Sequence, residues 1–178
     1  SVSKCYVNLG NQFLKVRNLE NAIAHYRKAE SIAKEQNFTG ILISTYNNYG
    51  EYYRLLKDYD SSYYFYRESL QLQESSGITT SQALVLERIG DYFVLNNDYQ
   101  EATDHFFKGY EKARSTKDYV QLQSLTTKLS NTYSFLGKKD SIIKYLNLSL
   151  SYKDTLVNGL NASYVYSLNY QDFQFKVK

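Results

Sequence analysis

The sequence predicts an all-α chain of about four helical hairpins in a row, closed by one further helix. Three observations predict it. Small residues recur every 40 positions, at Gly10, Gly50, Gly90 and Ser130. The residues around them keep helical spacing in one shared register. Proline is absent from all 178 residues, which suits a chain that is helical almost throughout.

The first helix of each hairpin carries the small residue. Four positions before it stand Tyr6, Tyr46, Leu86 and Thr126, and one before it Leu9, Tyr49, Ile89 and Leu129. Three after it stand Phe13, Tyr53, Phe93 and Tyr133. Tyr6, Leu9, Gly10 and Phe13 thus follow i, i+3, i+4, i+7 on one helix face. The second helix repeats as well: Ala22, Ser62, Ala102 and Ile142, then Tyr26, Tyr66, Phe106 and Leu146, then Ala29, Ser69, Gly109 and Ser149. The glycine slot admits close approach of the second helix, whose aromatic fills the adjacent space. Glycine costs roughly 1 kcal/mol inside a helix, so its recurrence calls for compensation by packing.

Short polar turns separate the helices, such as Arg17-Asn18-Leu19-Glu20, Lys57-Asp58-Tyr59-Asp60 and Asn97-Asp98-Tyr99-Gln100. Asn and Asp favour helix starts because their side chains accept from unpaired backbone N–H groups. Between hairpins, connections fall near residues 37–40, 75–77 and 115–118, all rich in turn formers. The predicted units are residues 2–38, 42–78, 82–118 and 122–158, within a repeat region spanning 1–158. Residues 159–178 are expected to form the closing helix, with Tyr166 and Phe173 continuing the register.

The pattern resembles that of tetratricopeptide repeats, W-x2-L-G-x2-Y…A-x3-F…P. Asn97-Asp98-Tyr99-Gln100-Glu101-Ala102, with Phe106 following, is similar to that family's turn and second helix. Three departures stand out: the Trp slot holds Tyr, Leu or Thr, the fourth unit has Ile142 for Ala, and the closing Pro is Lys34, Glu74, Arg114 or Asp154. Without that proline the second helix is expected to run on for another turn, which accounts for a period of 40 rather than the family's 34.

The resemblance implies a right-handed α-α superhelix whose first helices line a groove for a protein or peptide. In that register the groove residues are Asn8, Asn11, Asn47, Asn48, Glu51, Arg54, Arg88, Asp91, Lys128 and Asn131, with Lys15, Ser44, Leu84, Glu87, Thr127 and Phe135 on the same faces. Asn suits an extended peptide because its amide both donates and accepts. Asn11, Asn48 and Arg88 match the family's carboxylate clamp, but Val7 and Leu84 occupy its two Lys positions, so that clamp is not expected.

Other chemistries find little support. His25 and His105 are 80 residues apart and Cys5 is the single cysteine, so neither a metal site nor a catalytic thiol is indicated. No cofactor is expected, and the reading is of a non-catalytic chain. The net charge of +3 is spread along the chain without a basic stripe, which argues against nucleic-acid binding. No apolar run reaches the roughly 18 residues of a membrane span. With no Met and no signal-like start, the chain reads as part of a longer product. The stretch Tyr152-Lys153-Asp154-Thr155-Leu156 resembles the exit of bacterial tetratricopeptide sensor regions. That implies the sensing part of a regulatory protein, placed in the periplasm or, as the alternative, in the cytoplasm. A static assembly scaffold and a cytoplasmic peptide-pheromone regulator are the competing roles.

Overall fold

A computed structural model describes the backbone of residues 1–176 and the side chains of residues 1–159. Within the described residues there are eight α-helices and no strand: α1 Val2–Lys15, α2 Leu19–Glu35, α3 Thr39–Leu55, α4 Tyr59–Ser76, α5 Gln82–Leu95, α6 Tyr99–Thr116, α7 Tyr119–Phe135 and α8 Lys139–Lys176. The chain divides into two compact units, residues 1–105 and 106–178, with the boundary inside α6.

The turns explain why so few residues suffice between helices. A left-handed residue closes every helix up to α7, at Arg17, Asn37, Lys57, Gly77, Asn97, Lys117 and Gly137, one at every twentieth position. In six of these turns the next N–H bonds back five residues, as in Asn18 N–H to Phe13 O at 2.9 Å and Asp98 N–H to Phe93 O at 2.9 Å. This is the Schellman closure of a helix C-terminus. The same residue then starts the next helix: Asn18, Asp58, Asp98 and Asp118 each accept from the N–H three residues on, at 3.0 to 3.2 Å. One residue therefore ends one helix and caps the next.

Second helices run past the slots where the family places proline. α2, α4 and α6 end at Glu35, Ser76 and Thr116, one or two residues beyond Lys34, Glu74 and Arg114. Each half-unit, a helix and its turn, spans twenty residues.

In the first unit, core residues follow the repeat. Tyr26, Ala22 and Tyr49 form one buried cluster, and Tyr66, Val85 and Ile89 another. The second unit buries Phe106, Leu122, Leu125, Leu129 and Tyr145. Leu9 departs from its slot: it is 45% exposed, while Tyr49, Ile89 and Leu129 are at most 3% exposed. Tyr49 and Ile89 pack with Tyr26 and Tyr66, on the second helix of the preceding hairpin. α1 is the first helix described, and its main packing is against α2 and α3, which leaves Leu9 half-exposed.

α8 is continuous across the 158/159 boundary. The fourth unit's second helix and the expected closing helix are thus one helix of 38 residues. The contacts expected of Tyr166 and Phe173 lie outside the described side chains.

Candidate functional site

The glycine slot works as a socket. A Cβ on Gly50 would sit 2.7–2.8 Å from three Tyr66 ring atoms, and one on Gly10 would meet Tyr26 still more closely. The absent methyl lets each tyrosine lie across the first helix of its hairpin. Ser62 adds to this seam by donating to the Gly50 carbonyl at 2.8 Å. The fourth unit reverses that polarity: Ser130, in the glycine slot, donates to the Ile142 carbonyl at 3.1 Å.

A second periodic pair escaped the sequence reading. Phe13 with His25, Tyr53 with Phe65, Phe93 with His105, and Tyr133 with Tyr145 lie with ring centroids 5.1 to 5.5 Å apart. Each partner sits twelve residues after the first. The two histidines are thus ring partners, with Nδ1 also bonded to the carbonyl one turn back, His25 to Asn21 at 2.7 Å and His105 to Glu101 at 2.9 Å. The twelve-residue offset was legible, but it shows only when His is counted as an aromatic ring.

On the opposite side of the first unit, α1, α3 and the segment before α5 enclose an open cavity of about 400 Å³. Asn8, Asn11, Asn47 and Asn48 line it with Ser44, Ser81 and Lys4, over apolar Val7, Ile43 and Leu84. An adjoining cavity of about 420 Å³ is lined by Asn8, Asn11, Gln12, Leu14 and Lys15. The side chains of Asn8 and Asn48 have no hydrogen-bond partner among the described residues. Asn47 Nδ2 donates to Ser81 Oγ at 2.9 Å, and its buried Oδ1 has no partner. Ser81 passes the chain to Gln73 at 3.0 Å, and Gln73 to Ser69 at 3.2 Å. This ties α3 and α4 to the residue that precedes α5.

Two tyrosine hydroxyls reach from the core to this face, which sequence reading had assigned to packing alone. Tyr26 OH donates to Asn11 Oδ1 at 2.8 Å, and Tyr66 OH donates to Glu51 Oε2 at 3.1 Å. Arg54 adds a two-pronged contact to Glu51, with Nε–Oε2 at 2.8 Å. Burial opposes the charge on Glu51, yet the Arg54 bonds outweigh it and hold the carboxyl below its usual range. Burial and the nearby Glu51 charge push the Tyr26 hydroxyl up.

The remaining expected residues divide. Arg88 lies 3.5 Å from Asp91 and 3.8 Å from Glu87. Glu87 is only 4% exposed. Lys128 and Asn131 belong to the second unit, where Lys128 Nζ lies over the Phe106 ring at 5.6 Å and Asn131 is exposed. Phe135 is exposed as well, at 62%. No group of three metal-ligating side chains occurs among the described residues.

A family model described as tetratricopeptide repeat matches residues 2–75 and 41–115. None of the curated proteins matches. Three solved structures are similar. One is a signal transduction ATPase with numerous domains carrying a tetratricopeptide repeat sensor, from Pyrococcus horikoshii, with TM-score 0.75, 18% identity, and coverage of 90% of this chain and 25% of that one. Another is aspartyl phosphate phosphatase F from Bacillus subtilis, with TM-score 0.79, 15% identity, and coverage of 86% and 40%. The third is a Rap protein complexed with Competence and Sporulation Factor, with TM-score 0.64, 17% identity, and coverage of 84% and 42%. This chain spans 25 to 42% of the length of these three. At these identities the likeness is one of fold.

Proposed function

Since the chain belongs to the tetratricopeptide repeat family, we propose that it is a non-catalytic module that holds a protein or peptide segment in extended form along α1 and α3. The observation that carries this is the asparagine-lined cavity, in which the side chains of Asn8 and Asn48 have no partner among the described residues. Each side-chain amide both donates and accepts, so the two can pair with successive peptide groups of an extended ligand. The apolar floor of Val7, Ile43 and Leu84 suits an aliphatic side chain between those bonds.

The wider role we propose is the sensing region of a regulatory protein. In support, one similar structure carries the repeat as the sensor of a signal-transduction ATPase. The Rap complex favours the second reading, a regulator that takes up a signalling factor.

A random decapeptide library displayed against the chain tests the binding claim. The best peptide should lose about tenfold in affinity on Asn8→Ala with Asn48→Ala. The melting temperature should stay within about 2 °C, because neither side chain bonds within the chain. Arg88 is a poorer choice for this test: Arg88→Ala would remove a cation 3.8 Å from nearly buried Glu87. Equal affinity of the doubly substituted chain removes the groove assignment.

A further inference from the structure

Resting on the groove reading, we infer that Tyr26 makes Asn11 a hydrogen-bond donor toward the ligand, and that the α1 end of the groove takes an acidic, acceptor-rich stretch of peptide. An asparagine amide can turn either its carbonyl or its NH₂ to the groove. The Tyr26 hydroxyl decides which. Its ring is fully buried in the Gly10 socket, so the hydroxyl cannot swing away. Its proton has Asn11 Oδ1 as acceptor at 2.8 Å. Turning the amide over would leave that hydroxyl proton without an acceptor, which is costly beneath the surface. The NH₂ of Asn11 therefore faces outward, and it has no partner among the described residues.

The charged residues that line the cavities carry the same sign, and the Glu51 carboxylate near Tyr26 is held by Arg54. Lys4 and Lys15 are the charged residues lining the two cavities that meet at Asn11, and no carboxylate lines either. Neither lysine is in an ion pair among the described residues. One repeat on, the Tyr66 hydroxyl and Arg54 occupy the Glu51 carboxylate, so Glu51 is spent as an acceptor for basic ligands. The α1 end thus offers two cations and an outward amide donor. Carboxylates and carbonyl oxygens complement these groups, and ammonium groups do not. Tyr26 is a positioning residue here, acting through Asn11.

Three N-acetylated, C-amidated decapeptides serve as probes, alternating Ala with Glu, with Gln or with Lys. Each is titrated into the ¹⁵N-labelled chain. The Glu peptide should move the Asn11 side-chain amide and the α1 signals, bind more tightly than the Gln peptide, and weaken with added salt. The Lys peptide should leave α1 unmoved. Tyr26→Phe keeps the ring in its socket and should weaken the Glu peptide about fivefold. In the free chain it should also shift the Asn11 side-chain amide signals. Equal binding of the Glu and Gln peptides overturns the acidic preference. Unchanged Glu-peptide affinity and unchanged Asn11 signals in Tyr26→Phe overturn the positioning role. If α1 ignores all three probes while a library-selected peptide still binds, this inference falls and the groove reading stands. If no peptide binds at all, the groove reading falls with it.

Discussion

Gly50→Ala probes the packing device on which the repeat depends. The added methyl would lie 2.7–2.8 Å from three atoms of the Tyr66 ring. Carbon contacts are comfortable near 3.5 Å, so ring and helix must part by about 0.7 Å. The ring has little room to yield. Tyr66 is 4% exposed, packs with Val85 and Ile89, and is tied to Glu51 through its hydroxyl. Overpacking of this kind costs roughly 1–3 kcal/mol, and replacing Gly by Ala inside a helix returns about 1 kcal/mol. The net expectation is a loss of up to about 2 kcal/mol, read as a lower urea midpoint by circular dichroism. Gly40→Ala is the matched control, since its methyl would meet only Ile78 Cδ1 at 3.9 Å. It should be neutral or slightly stabilising. Placing Gly50→Ala in a Tyr66→Leu background should cost less than in the native chain, because the obstructing ring is gone. If Gly50→Ala proves as stable as Gly40→Ala, the socket account is wrong.

Other expectations follow from the turns, the burial pattern and the tyrosines. Lys57 holds a left-handed conformation at φ 61°, so Lys57→Gly should raise stability by about 0.5–1 kcal/mol in urea titration. Ile89→Ala should cost about 2–5 kcal/mol, while Leu9→Ala in the equivalent but half-exposed slot should cost under about 1 kcal/mol. Burial raises the Tyr145 hydroxyl to about 12, and also raises Tyr26, Tyr49 and Tyr66. The tyrosine contribution to stability should therefore be constant below about pH 10, where tyrosine is protonated in both states, and fall above it as the unfolded chain alone ionises. Absorbance at the phenolate band should show these tyrosines ionising only as helicity is lost.

Most of the fold was legible because the repeat states it many times. The Gly10, Gly50 and Gly90 register places both helices of each of the first three hairpins, and Asn18, Asp58, Asp98 and Asp118 mark helix starts by their chemistry. The left-handed residues were harder to read. Arg17, Lys57 and Lys117 look like ordinary surface cations, and only the shared twenty-residue spacing betrays their backbone. At the candidate site, the asparagines of α1 and α3 were found by register. The hydroxyls of Tyr26 and Tyr66 were not, because a tyrosine in a core slot looks the same whether its oxygen is idle or reaches a surface side chain. The burial of Glu87 was not legible for a related reason: one turn of a helix carries both faces, and a carboxylate in it reads as exposed until its neighbours are known. The burial of Leu9 was also misjudged, since repeat register assumes a neighbour on both sides.

The central claim is that ligand lies along α1 and α3 on the asparagine-bearing face. Mapping a library-selected peptide onto the ¹⁵N-labelled chain tests it directly. Signal changes should centre on Asn8, Asn11, Ser44, Asn47 and Asn48. A footprint on Ala24, Lys28, Tyr64 and Gln71, exposed on α2 and α4, would contradict it.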